Sequence, residues 1–217
     1  MSLLLSKIDE LTRGDHYYLT EDDDCRYIRE YAARGGYKAG PTNQLISNLK
    51  KSPSKRYSRE WEYKLEAIGI AAQEFCNCTD HNWLKATTLI PIPPSRMKGD
   101  PEYDERMYMI LRQINRRLGN NLDIRELILQ RENRQAFHEQ TGRRPRPQEV
   151  AANYYIDEEL MLPTPQAIGL FDDMLTTGSH FKGAQMILEE AFPGVPIRGI
   201  FLARRVPHTD EDLFASF

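Results

Sequence analysis

Residues 168–182 read IGLFDDMLTTGSHFK, and the fold is decided there. Ile168 to Phe171 form a short apolar run of the kind a buried strand shows. Asp172 and Asp173 follow at its carboxyl end. Thr176, Thr177 and Gly178 turn the chain. Phe181, Ala184, Ile187, Leu188 and Ala191 then recur at helical spacing, which predicts a helix from about Ser179 to Phe192. PGVP (193–196) ends that helix, and IRGIFLA (197–203) reads as the next strand. Strand, helix, strand implies a parallel pair joined by a right-handed crossover.

The turn has a chemical meaning of its own. A buried strand delivers two adjacent carboxylates to a sheet edge. The turn after it opens a helix, and N–H groups at a helix start form an anion cradle. Thr176, Thr177 and Ser179 add hydroxyls. Such a site suits a phosphate next to a group that donates hydrogen bonds to carboxylates, as a ribose diol beside a 5-phosphate does.

Working back along the chain, ATTLIPIPP (86–94) is a β-branched apolar run stopped by prolines, which predicts a second buried strand. SRMKGDPEY (95–103) is the loop it feeds. Met107, Ile110, Leu111, Ile114 and Leu118 predict a helix, with Asp104 and Glu105 in its first turn and Arg116 and Arg117 in its last. Two strand–helix units of this kind give an α/β sheet whose ligand lies beyond the carboxyl ends of the strands. IRELIL from Ile124 predicts a further strand. The stretch from Gln130 to Val150 is rich in arginine and poor in apolar side chains, and loops that long are usually functional or disordered.

Residues 1–85 are polar and rich in tyrosine. GGYKAGP (35–41) is turn chemistry, and KKSPSKR (50–56) is a basic, exposed segment. Trp61, Leu65, Ile68 and Ala72 predict one amphipathic helix running through Glu74.

Residues 168–182 resemble the phosphoribosyl-pyrophosphate signature of the type I phosphoribosyltransferases. Asp172, Asp173, Thr176, Thr177, Gly178 and Ser179 match that pattern. His180 stands where the family has threonine, so one hydroxyl donor is replaced by an imidazole. LIPIPPSRMKG (89–99) resembles the pyrophosphate loop of the ComF-like branch, the competence-associated phosphoribosyltransferase-like proteins. The arginine-rich stretch after Gln130 and the run IFLARR (200–205) are similar to the same branch. The resemblance covers about residues 86–206.

That resemblance implies a type I phosphoribosyltransferase-like core over 86–217. It leaves residues 1–85 as a mainly helical N-terminal extension or hood. It implies transfer of ribose 5-phosphate from phosphoribosyl pyrophosphate (PRPP) to an unidentified nitrogen nucleophile of a small-molecule acceptor, with release of pyrophosphate. The residue roles carried over are Asp172 and Asp173 as catalytic carboxylates on the ribose hydroxyls, and Thr176, Thr177, Gly178, Ser179 and His180 on the 5-phosphate. Pro94, Ser95, Arg96 and Lys98 fall to pyrophosphate. Arg131, Arg134, Arg143 and Arg144 are flexible-loop contacts. Mg²⁺ is the implied cofactor, held through the ligand, with Asp172 and Asp173 reaching it through water. A homodimer is a further carry-over. Thr176 takes the place of the aspartate found in purine salvage, which argues against a hypoxanthine or guanine acceptor.

Two other activities fit the same resemblance. One is a non-catalytic regulator that binds PRPP or a nucleotide. The other is a factor associated with DNA uptake or processing. The 217 residues carry 29 Lys plus Arg against 32 Asp plus Glu, a formal charge of -3, which weighs against nucleic acid as the main partner. No apolar run approaches the roughly 20 residues of a membrane span. Cys25, Cys76 and Cys78 make no disulfide framework. Cys76, Cys78, Asp80 and His81 cluster, but without a distant partner pair they read as helix-end residues rather than a zinc site. MSLLLSKIDE has too short an apolar stretch for a secretory signal, so a cytoplasmic protein is expected.

Overall fold

The computed structural model describes residues 3–133 and 145–207. In chain order the elements are β1 (Ser6–Lys7), α1 (Glu10–Arg13), β2 (Asp24–Ala32), α2 (Pro41–Leu49), α3 (Arg59–Cys78), α4 (His81–Ala86), β3 (Thr88–Pro91), α5 (Arg106–Arg117), β4 (Asp123–Ile124), β5 (Ile128–Gln130), α6 (Pro147–Ala152), β6 (Tyr154–Ile156), β7 (Ile168–Leu175), α7 (Ser179–Ala191) and β8 (Ile197–Val206).

Six strands form one sheet in the order β1-β2-β8-β7-β3-β4. Only the β1–β2 pair is antiparallel. The α/β architecture with a mostly parallel sheet and flanking helices is therefore present. The strand, helix, strand run from Ile168 is β7, α7 and β8, and the two strands are hydrogen-bonded neighbours. On the other side of β7 lies β3, paired from Thr88↔Ile168 to Pro91↔Phe171.

Successive side chains of a strand face opposite sides, and the core divides accordingly. Phe171, Ile200 and Leu202 pack with α3 and α5 in one apolar cluster. Leu170, Phe201 and Ile168 pack with α7 in the other. Phe171 meets Phe75 of α3 edge-on at 5.4 Å, and Phe201 meets Phe181 of α7 edge-on at 6.3 Å. Helices thus cover both faces, as buried parallel strands require.

Three features differ from the expectations. Residues 1–85 are not a helical hood set apart from a core that starts at 86. Their β2 runs parallel to β8 from Asp24↔Arg198 to Ala32↔Val206, and α3 lies in the same apolar cluster as α5. The strand escaped notice because it is charged, and its charges are answered by distant residues. Arg29 forks onto Glu74 of α3, with Nε–Oε2 at 2.6 Å, and Arg204 of β8 pairs with Glu30. Second, IRELIL is split: β4 ends at Ile124 and β5 begins at Ile128. Arg125 sits between them, bound to Asp123 at 2.7 Å and to the Leu160 carbonyl at 2.9 Å. Third, β5 pairs not with the main sheet but with β6, as a separate antiparallel ribbon. Among the described residues no helix is long and apolar enough to cross a membrane.

Candidate active site at the strand ends

The hydrogen-bond ladder of β7 continues through the acidic pair to Leu175↔Arg204. Asp172 and Asp173 therefore belong to the strand rather than following it. The ladder fixes their backbone and holds both beside one cavity of about 520 Å³. Its wall includes Pro94, Ser95 and Arg96 from the loop after β3, and Thr176 and His180 from the turn after β7. Parallel neighbours end on the same edge, so two loops distant in sequence meet there.

The two carboxylates have different partners. Asp173 is buried and takes Arg106 through Nε at 3.0 Å and Nη2 at 2.9 Å, with Lys50 at 3.6 Å. Arg106 in turn reaches Asp104 at 2.6 Å, and Asp104 holds Lys64 at 2.8 Å. Asp172 is half-buried and accepts the Asp173 N–H at 2.8 Å. Burial, and then the neighbouring Asp173 charge, push its carboxyl up to about 7. Burial would raise Asp173 too, but Arg106 and Lys50 outweigh it and hold that carboxyl down at about 2. Two like charges side by side are separated in this way by their surroundings.

The turn is tight. Gly178 adopts φ +87°, the left-handed region that suits glycine, and caps α7. Thr177 and Ser179 are buried, and the Thr177 hydroxyl donates to Ser179 Oγ at 3.3 Å. That bond uses the Thr177 hydrogen, while the Ser179 hydroxyl acts in it as the acceptor. His180 lines the cavity, with Nδ1 3.3 Å from the Tyr154 hydroxyl.

On the opposite wall, the Pro94 carbonyl accepts from the Gln130 amide, which anchors the loop to the β5–β6 ribbon. Met97 N–H donates to Asn133 at 2.7 Å. Lys98 does not line the cavity; it pairs with Glu126 at 3.0 Å. Arg131 lies over the Tyr155 ring at 5.5 Å and is not in the cavity wall. Arg134, Arg143 and Arg144 fall outside the described residues.

Several site residues were not singled out from sequence. Lys50 and Arg106 are the cations on Asp173, and Glu126 in the wall accepts the Tyr103 hydroxyl at 3.0 Å. Burial and the Glu126 charge push the Tyr103 phenol well up. The available signal was the Asp104-Glu105-Arg106 step. It was read as a helix start favoured by the dipole, whereas α5 begins at Arg106 and Asp104 is free to bind cations.

The residues of the cysteine cluster make local helix-end contacts. His81 donates to the Cys76 carbonyl at 2.8 Å, and Asp80 caps α4 through the Asn82 and Trp83 N–H groups. Among the described residues no group of three or more His, Cys, Asp or Glu side chains could hold a metal ion. No protein-family model matches the chain, and no curated protein matches it.

Proposed function

We propose that the chain binds PRPP and transfers its ribose 5-phosphate to a nitrogen nucleophile, in a site like that of the ComF-like type I phosphoribosyltransferases. One observation carries this reading. Pro94, Ser95 and Arg96 after β3 and Thr176 and His180 after β7 line one cavity at the ends of neighbouring parallel strands, with Asp172 in its wall. A cavity of about 520 Å³ is of the size that takes a phosphosugar with a small acceptor.

In this reading the bond from C1 to the pyrophosphate oxygen breaks, and its electron pair leaves with pyrophosphate. The acceptor nitrogen forms the new bond to C1 and gives up a proton to water. Positive charge builds on the ribose, and the Asp172 carboxylate beside the ribose hydroxyls stabilises it. Arg96 is a cavity-wall cation suited to pyrophosphate, since a guanidinium meets such oxygens in pairs. The turn at residues 176–180 holds the 5-phosphate through its amides. Asp172 would reach Mg²⁺ through water, and the ion, when bound, would supply neutralisation of the leaving charge. Asp173 is already engaged by Arg106, so Asp172 is the acidic-pair carboxylate left for that ion. This suits Mg²⁺, which keeps phosphate oxygens and water as most of its ligands.

Isothermal titration with PRPP in the presence of Mg²⁺ tests the reading. Binding is expected, weakened about tenfold or more by Asp172→Ala, which removes a charged hydrogen-bond acceptor. A protein that takes up no PRPP at any ligand concentration would sink the proposal. The ion pairs of Asp173 with Arg106 and Lys50 favour a second reading, a PRPP sensor that binds without turnover. Pyrophosphate release across a panel of amines and bases separates the two: binding without release assigns the sensor.

A further inference from the structure

The turn that opens α7 has its carbonyls tied from behind. His16 Nδ1 donates to the Thr176 carbonyl, and the Tyr18 N–H donates to the Thr177 carbonyl at 3.0 Å. Both donors lie between α1 and β2. A trans peptide holds the C=O of one residue antiparallel to the N–H of the next. With both carbonyls turned towards residues 16–18, the Thr177 and Gly178 N–H groups point the other way. Neither finds an acceptor among the described residues.

The backing segment is fixed on its far side too. Asp15 pairs with Arg204 of β8 at 2.9 Å. Leu19 packs so closely on Gly178 that a Cβ there would meet its Cδ2 at 2.8 Å. His16 itself is fully buried. A carbonyl can only accept, so Nδ1 carries the ring hydrogen, and Nε2 is left as a lone pair with no partner among the described residues. Burying an imidazole with one nitrogen unsatisfied costs stability.

We propose that His16, together with the Tyr18 N–H, is a positioning element that aims the Thr177 and Gly178 amides at the phosphate monoester of the ligand. The inference rests on the phosphoribosyl reading of the site and assigns to the N-terminal stretch a share in binding. A phosphate met by two prearranged amides binds without first reorienting the turn. The pyrophosphate wall, built from residues 94–96, has no such link to His16.

Calorimetric titration with ribose 5-phosphate and, separately, with pyrophosphate tests it on the unmodified protein, His16→Phe and His16→Asn. Phenylalanine keeps most of the volume and removes the donor; the asparagine amide nitrogen stands where Nδ1 was. Loss of about one hydrogen bond predicts ribose 5-phosphate binding weakened about tenfold in His16→Phe and largely recovered in His16→Asn. Pyrophosphate affinity is expected to stay within about twofold, since a change that small is under 0.5 kcal/mol. A folded His16→Phe that binds ribose 5-phosphate as the unmodified protein does would overturn the inference alone, as would equal weakening towards both probes. An unmodified protein that binds no ribose 5-phosphate would overturn the phosphoribosyl reading and this inference with it. A second measurement needs no variant. In the unmodified protein, saturation with ribose 5-phosphate is expected to shift the Thr177 and Gly178 amide resonances, and stationary resonances with bound ligand would refute the inference.

Discussion

Asp172 and Asp173 are neighbours of identical chemistry, yet among the described residues only Asp173 is directly ion-paired. Asp173 contributes stability through Arg106 and Lys50. That contribution is present above its ordinary value of 3.8 and is lost as pH falls towards about 2. Asp172 behaves in the opposite sense. Its carboxyl is raised to about 7, so the folded protein holds a proton that the unfolded chain releases, and stability is lost as pH rises from about 4 through about 7. Asp172→Asn removes that penalty. It is expected to stabilise the ligand-free protein at pH 7.5 by at least about 1 kcal/mol, roughly 2–4 °C in Tm, and to lose the gain at pH 4. Thermal melts of the two proteins at both pH values check this. A carboxylate that costs stability where it stands is the usual mark of a site kept for binding. At this scale the sequence was informative about the pair itself, because two carboxylates after an apolar run have few structural uses. It was silent on Arg106, which lies 67 positions away and meets Asp173 only once the sheet has formed. It gave no sign that the Thr177 hydroxyl donates to Ser179 inside the turn.

Among the elements, those with an apolar period were legible and those held by charges were not. α5, α7, β7 and β8 show their buried faces as spacing, and each lies close to where that spacing put it. β2 does not, because Arg26, Arg29 and Glu30 break the apolar run expected of a buried parallel strand. α3 was recognised, but not the weight carried by its polar Lys64. That side chain is fully buried, donates to the Leu49 and Lys51 carbonyls at 2.6 and 2.7 Å, and pairs with Asp104. It therefore clips the end of α2 and the entry to α5 onto α3. Burial alone would lower its affinity for a proton, and Asp104 opposes that. Lys64→Met fills a similar volume but leaves the Leu49 and Lys51 carbonyls without their donor and Asp104 with Arg106 as its remaining cation. A loss of about 2–3 kcal/mol is expected, read from the urea midpoint, since buried acceptors left unsatisfied cost about 1–3 kcal/mol.

Across the whole molecule, the boundary read at residue 85 follows the reach of a motif, not a division of the core. The motif-bearing strands β3, β7 and β8 are covered on one face by α3, and β8 is bordered by β2. A chain beginning at residue 86 would expose Phe171, Ile200 and Leu202 and the whole pairing edge of β8. It is expected to show no cooperative melting transition and little near-ultraviolet dichroism. A sharp transition in that chain would mark residues 86–217 as a domain in their own right. No local pattern could have disclosed this, since it depends on partners at opposite ends of the sequence.

The β2–β8 pairing also sets a timetable. Cys25 meets Gly199 and Ala32 meets Val206, about as far apart along the chain as two paired strands here can be. During synthesis β2 emerges early and must wait for β8, holding an unpaired edge until residue 206 is made. Closing so long a loop is entropically slow, and strands with such distant partners fold late. The salt links that hid β2 from a reading of the sequence then have a second use. Charged side chains on a waiting edge discourage it from pairing with other chains before its own partner arrives.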